Sequence, residues 1–360
     1  MHDAINPDTI MDLEPLEDLT ATGASVPVDS VLTLPAVSAL VQTFSYNTIQ
    51  TVILDRHFLL IWANRAYRDF FETDGDTGSV SFFSLFRGSH DERELAEICR
   101  ALRTESARYS WSGRLMRRRT GKRTVIDLAQ IIPIFTRPAP GTEPDAYVVF
   151  LNDITEEFRT VNRTTFQSLL EASILKDKNT GKHVERVNHY ARLMAETLYR
   201  QGTAPTIDPD FIDDIGFLAA MHDVGKIGTP DDILNKDGKL EPWEWEVMKE
   251  HTINGAYILS TYPNPMARDI ALFHHERWDG TGYPYGLAGP MIPIAARIVT
   301  VADVYDALRS PRSYKKALSH PEAREILTAS RGTQFDPTLV TLFLELELRF
   351  EEIYSRLADE

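Results

Sequence analysis

Cysteine is nearly absent from this chain of 360 residues; Cys99 is the only one. An intrachain disulfide and a cysteine-built zinc site are therefore both excluded. Positive charge is scarce. Lys and Arg number 38 against 53 Asp and Glu, for a formal net charge of -15. That balance excludes a protein whose main partner is a nucleic-acid polymer, because such a surface is basic. It leaves room for a local basic pocket around a small phosphate ligand. Long apolar runs are missing too, and none reaches the roughly 20 residues that a membrane-spanning helix needs. No basic stretch followed by an apolar one opens the chain, so a secretory signal is not expected. A reducing cytoplasm is the expected compartment.

What is present is ordinary for globular protein: 43% hydrophobic and 25% charged residues. The length has room for two domains. No Lys or Arg precedes Arg56, while Asp3, Asp8, Asp12, Glu14, Glu17 and Asp18 crowd the start among Pro7, Pro15 and Pro27. Residues 1–38 are therefore expected to be an acidic, mobile leader, with a short docked helix as the alternative.

Residues 39–155 read as α+β. Residues 51–54 and 58–62 are expected strands about a turn at 55–57, which makes a hairpin. Residues 66–71 and 91–102 carry helical patterns. Three more strands are expected at 109–116, 123–135 and 146–151, with turns around Gly121-Lys122 and from Pro138 to Pro144. The segments "ILDRHFLLIWANRAYRDFF", "WSGRLMRRRTGKRTVIDLAQIIPIF" and "YVVFLNDITEE" together resemble a PAS domain. That resemblance implies sensing, dimerisation, or both, and leaves the PAS ligand unknown. An Asn-Cys-Arg-Phe motif is missing, so flavin-adduct light sensing is not expected. His57 and His90 are haem-competent in principle, although a turn or surface role is the commoner one.

Residues 156–178 are expected to form a connecting helix. Phe158, Val161, Thr165, Leu169 and Ala172 recur on one face. This stripe either pairs two chains as a homodimer or packs on the chain's own C-terminal domain.

From residue 179 onward the pattern is helical. Val184, Val187, Ala191, Met194 and Leu198 make an apolar face, and His183 stands one turn before Val187. Ile215, Ala219 and Asp223 follow at steps of four, as do Leu218 and His222, with Gly225 expected to stop that helix. Asp303 lies on the strongly apolar row Ala296, Val299 and Ala307. An unpaired Asp buried there would cost several kcal/mol, and a metal removes that penalty. Single histidines on apolar faces are usually core residues. Here, however, His183, His222, Asp223, His251, His274, His275 and Asp303 form a set of nitrogen and oxygen donors suited to first-row divalent ions. Seven groups exceed one tetrahedral ion and suit two neighbouring ions that share a carboxylate. Two metals about 4 Å apart are a common device for displacement at phosphorus.

The loop "HHERWDGTGYP" at 274–284, together with "HDVGKIG" at 222–228, resembles the HD-GYP family of bacterial phosphodiesterases. The likeness runs from about residue 170 to 345. It implies an all-helical domain that hydrolyses cyclic di-GMP, with pGpG and GMP as the alternative end products. It implies two divalent ions, Fe or Mn, on His183, His222, Asp223, His251, His274, His275 and Asp303. Asp223 would bridge them, and Asp223 and Lys226 would be the catalytic pair. Lys226, Gly282, Tyr283, Pro284, Arg312 and Lys315 would meet the substrate. Asn179 stands where some members carry a Glu that holds a third metal, so a two-metal site is expected, with Asn179 at most a weak third position. Glu276 and Asp306 are candidates to orient ligand imidazoles, or are ordinary structural charges. The Gly-Tyr-Pro loop also suits protein partners.

The expected protein is multidomain: an α+β PAS-like sensor domain followed by an all-α HD-type metal-dependent phosphohydrolase domain. The leader spans 1–38, the sensor 39–155, the connecting helix 156–178 and the catalytic domain 179–360. Two other readings fit the residues. One is a catalytically weak effector or scaffold that binds a cyclic dinucleotide or a partner. The other is a hydrolase of another cyclic dinucleotide such as cyclic GMP-AMP.

Overall fold

The computed structural model describes residues 31–71, 81–86, 89–103, 110–117, 123–135, 143–176, 181–311 and 316–358. The chain divides into two compact units, residues 1–160 and 161–360. Most of the expected acidic leader lies outside the described residues. Its last residues open helix α1 (Pro35–Phe44). Val31 and Val37 give the physical reason: both are buried against Ile53, Ile61 and Val148 on one face of a sheet.

That sheet has five strands: β1 (Gln50–Asp55), β2 (Leu60–Ala63), β3 (Trp111–Arg117), β4 (Val125–Ile134) and β5 (Ala146–Asp153). Their spatial order is β2-β1-β5-β4-β3, and every neighbouring pair is antiparallel. The order of elements is the one expected from sequence: two strands, helices, then three strands. Helix α2 (Arg65–Phe71) and helix α3 (Glu92–Arg103) lie between the two groups. β1 is buried along its whole length because it is central and covered on both faces. Val52 and Leu54 join one core with Phe58, Phe82, Leu95 and Tyr147, while Ile53 faces the other.

The β1–β2 hairpin is turned by Asp55, whose Oδ1 accepts from the His57 and Leu59 N–H groups, each at 2.8 Å. His57 therefore belongs to a turn. His90 braces α3 to β3: Nδ1 lies 2.9 Å from Glu94 Oε2, and Nε2 accepts from the Met116 N–H at 2.8 Å.

Helix α4 (Thr155–Lys176) is the connecting helix. Its start is tied to the sheet, since Thr155 Oγ1 accepts from the Ile126 N–H at 2.9 Å. Of the expected stripe, Val161, Thr165 and Ala172 are exposed. Phe166 and Leu170 are buried in the helical core of the second unit, and Leu169 of the stripe packs partly buried against the same core. Periodicity alone could not separate these two neighbouring faces.

The second unit is all helical. Helix α5 (Gly181–Gln201) runs through its core, followed by α6 (Pro209–Leu218), a 3-10 segment (Ala219–Gly228), α7 (Asp231–Leu234), α8 (Pro242–Lys249), α9 (His251–Ile258) and α10 (Pro265–Phe273). After a long loop come α11 (Ile294–Arg309), α12 (His320–Ala329) and α13 (Pro337–Arg356). Local chemistry marks the starts. Pro stands in the first turn of α6, α8, α10 and α13, where its missing N–H costs nothing. Asp208 caps α6 through the Phe211 N–H, and Ser319 with Glu322 forms a capping box on α12. Tyr190 of α5 stacks on Phe350 of α13 at 4.5 Å, which closes the C-terminal helix over the core. Among the described residues, no helix is long and apolar enough to cross a membrane.

Candidate metal centre

The α6 pattern does not simply stop at Gly225. The α-helix ends at Leu218 and tightens into 3-10 turns through Gly228. His222, Asp223 and Lys226 all lie on this segment. Long 3-10 runs are uncommon, since their hydrogen bonds are poorer. Here the segment is pressed onto α9, and a Cβ at Gly225 would stand 1.9 Å from the His251 carbonyl oxygen and 2.3 Å from the Gly255 nitrogen. Gly225 therefore serves close packing of two backbones rather than a helix stop.

This packing carries His222 and Asp223 toward His251, the first residue of α9. His274 and His275 follow the last turn of α10, and His183 and Asp303 project from α5 and α11. The seven expected groups form two adjoining clusters. Asp223, His251, His274 and His275 offer ligand atoms within 4.8 Å of one another, as do His183, His222 and Asp303. Asp223 sits where the clusters meet. Its Oδ1 is 3.5 Å from His251 Nε2 and 3.8 Å from His274 Nε2, and its Oδ2 is 3.3 Å from His222 Nε2.

The donor set fits a cation on its own geometry. His251 Nδ1 bonds the Met248 carbonyl at 2.6 Å, and His274 Nδ1 bonds the carbonyls of Ile270 and Ala271. Each Nδ1 therefore carries the proton, and each Nε2 presents a lone pair. Those two Nε2 atoms face one another at 3.4 Å, a repulsive arrangement that a cation relieves. His222 Nε2 is buried as well and faces two carboxylates, Asp223 Oδ2 at 3.3 Å and Asp303 Oδ1 at 3.7 Å.

The electrostatics agree. Burial, then the charge of His251, pushes the His275 imidazole down to about 4. Burial also lowers His251, and lowers His274 well below the usual range. These rings are neutral at pH 7, the form that metal binding requires. Burial would lower His222 as well, but the Asp223 carboxylate outweighs it and lifts the ring to about 9. Burial would raise Asp223, yet Lys226 and His222 hold it far below the usual carboxylate range. Lys226 Nζ lies 2.7 Å from Asp223 Oδ2.

Tyr283 stacks on His275, with ring centroids 4.7 Å apart. Both line a cavity of about 410 Å³ that His274 and Gly282 also border. Gly282 has a structural duty as well, because a Cβ there would meet the Arg277 nitrogen at 2.4 Å. Pro284 follows Tyr283 through a cis peptide. Asn179, Arg312 and Lys315 lie outside the described residues.

Sequence reading missed four further residues that line this cavity, Trp245, Lys249, Arg277 and Gln334. Trp245 and Lys249 are four apart on α8, and that helical spacing just before His251 was the available signal. Glu276 does not orient an imidazole. Its two carboxylate oxygens accept from the Tyr285 and Leu287 N–H groups, at 2.8 and 3.0 Å, and so brace the Gly-Tyr-Pro loop. Asp306 does orient one: its Oδ2 is 2.8 Å from His183 Nδ1. Burial would raise Asp306, but hydrogen bonds from His183 and Arg186 lower it overall.

Comparison with known proteins points the same way. Residues 172–339 match the family model described as HD domain. A probable cyclic di-GMP phosphodiesterase of Vibrio cholerae is 42% identical over 199 residues, which are 51% of this chain and 44% of that protein. A cyclic di-GMP phosphodiesterase of Thermotoga maritima is 40% identical over 217 residues, 58% of this chain and 57% of that one. A 3′3′-cGAMP-specific phosphodiesterase of Vibrio cholerae is 40% identical over 206 residues, 56% of this chain and 38% of that one. The chain thus spans about half the length of these relatives, or less. The clustered His and Asp groups and the match to the HD domain family, over residues 172–339, coincide on the same helices.

Proposed function

We propose that this chain is a metal-dependent phosphodiesterase that hydrolyses cyclic di-GMP to pGpG, with GMP as the alternative end product, under control of its PAS-like domain. The carrying observation is the meeting of two donor clusters at Asp223, beside an open cavity lined by His275 and Tyr283. His183, His222 and Asp303 would hold one divalent ion, and His251, His274 and His275 the other, with Asp223 shared. Fe or Mn suits this mixture of imidazole and carboxylate. Two such ions, when bound, supply Lewis acidity toward a phosphoryl oxygen and a water acidic enough to attack at neutral pH.

The protein's own groups do the rest. Asp223 holds negative charge between the clusters. Lys226 brings a cation to the same rim, where it would stabilise charge growing on the phosphoryl oxygens. Tyr283 presents a flat face to the cavity, where a purine can stack. Arg312 and Lys315 would take the second phosphate. The Asn at 179 in place of an acidic residue favours two ions over three.

The cavity of about 410 Å³ suits one nucleotide half of such a substrate, with the other half toward the rim. Cyclic GMP-AMP is the second reading, supported by the relative of that specificity. We also propose a cytoplasmic homodimer; a reducing compartment suits a chain whose single cysteine is a buried free thiol.

The test is hydrolysis of both dinucleotides by anaerobically purified full chain, loaded with Fe(II) or Mn(II), with metal counted on the same sample. Conversion of cyclic di-GMP, lost in Asp223→Ala, supports the proposal. Faster turnover of cyclic GMP-AMP moves the substrate. Full metal occupancy without turnover of either favours an effector.

A further inference from the structure

The imidazoles of the two clusters are not braced alike. His222 Nδ1 leans on the Ala219 carbonyl at 2.8 Å. His251 and His274 lean on the backbone carbonyls of Met248, Ile270 and Ala271. Among the described contacts of these cluster imidazoles, a carboxylate backs His183 alone, Asp306 at 2.8 Å. Asp306 is fully buried and is itself locked by a fully buried Arg186. Arg186 Nε donates to Asp306 Oδ1 at 2.6 Å, and its Nη2 donates to Oδ2 at 3.0 Å. The same guanidinium donates to the Ser310 hydroxyl at 3.0 Å and to the Leu357 carbonyl at 2.8 Å. Three helices, α5, α11 and α13, thus converge on the aim of one carboxylate.

This asymmetry falls on the cluster of His183, His222 and Asp303, three groups that meet the other cluster at the shared Asp223. A carboxylate behind an imidazole fixes its tautomer, turns the Nε2 lone pair inward and raises its basicity. A neutral carbonyl fixes the tautomer but adds less basicity. Arg186 keeps the carboxylate charged and in place.

We propose that Asp306, anchored by Arg186, is a positioning residue that strengthens the three-group metal position selectively, so that the two positions depend on different parts of the fold. This rests on the two-metal reading of the site.

The test counts metal rather than turnover. Metal-free full-length protein is titrated with Mn(II), and bound Mn is measured after equilibrium dialysis. Wild type should take up two ions per chain. In Asp306→Asn, which keeps the shape and removes the charge, affinity for one ion should fall about 10- to 100-fold while the other is unchanged. Should that variant fail to fold, Arg186→Gln combined with Asp306→Asn removes both buried charges together, and the same selective loss is expected. A residue that merely supports the fold would weaken both ions alike and lower the unfolding temperature of the metal-free protein. That outcome overturns the inference, as does unchanged binding of both ions. Failure to hydrolyse cyclic di-GMP bears on the proposed function alone, because no nucleotide enters this experiment.

Discussion

Gly225 and His251 lie backbone to backbone, so that a Cβ on Gly225 would stand 1.9 Å from the His251 carbonyl oxygen. This contact joins the segment carrying His222 and Asp223 to the helix that begins with His251. Gly225→Ala should therefore lower the stability of the second unit by about 3 kcal/mol or more, since rigid backbone must move. Gly216→Ala is the contrast. Its Cβ would meet only the flexible Arg192 side chain, at 3.1 Å, on a regular helix. That change should be neutral or stabilising by up to about 1 kcal/mol. Urea unfolding of both variants checks the pair. Equal stabilities would show that the close approach at Gly225 is not a constraint.

Glu276 links the second His of the doublet to the loop that follows it. Glu276→Gln replaces one of its two acceptors with an NH2 group facing an N–H. The expected result is faster hydrogen exchange at Tyr285 or Leu287, with a stability loss of about 1–3 kcal/mol. Metal content should be unchanged, because Glu276 touches no donor. Protection at both amides equal to wild type would rule out the brace.

Trp245 is half-exposed on the wall of the cavity, 6.3 Å from the Tyr283 ring. An aromatic face is worth about 1–3 kcal/mol per stacked base. Trp245→Ala should raise KM for cyclic di-GMP roughly 5- to 100-fold by that energy, with kcat little changed. Unchanged KM would place the base elsewhere.

Lys176 ends the connecting helix with its ammonium on the carbonyls of Ile227 and Thr229, at 2.6 and 2.7 Å. These carbonyls close the 3-10 segment that bears Asp223. Lys176→Met should lower stability by about 1–3 kcal/mol and raise exchange at the end of that segment. Exchange identical to wild type would mean that the connecting helix does not hold this end.

Much of this protein was legible in its sequence. The short apolar run Val52-Ile53-Leu54 before the turn at 55–57 marked a strand, and the three- and four-residue steps from Val184 to Leu198 marked a helix, because local pattern is set by backbone geometry. The donor identities were legible for a similar reason, since buried His and Asp on apolar faces call for a partner. Tertiary structure alone decided how the donors divide. His183 and Asp306 are 123 residues apart, and no local rule brings them within 2.8 Å. The stripe from Phe158 to Ala172 was legible as a face, but burial centres beside it on Phe166 and Leu170, with Leu169 of the stripe at the edge of that core. Gly225 could be read as a helix stop until packing showed the α9 backbone against it. Periodicity assigns a side chain to a face of its own element. Which other element meets that face is settled only when the whole chain packs.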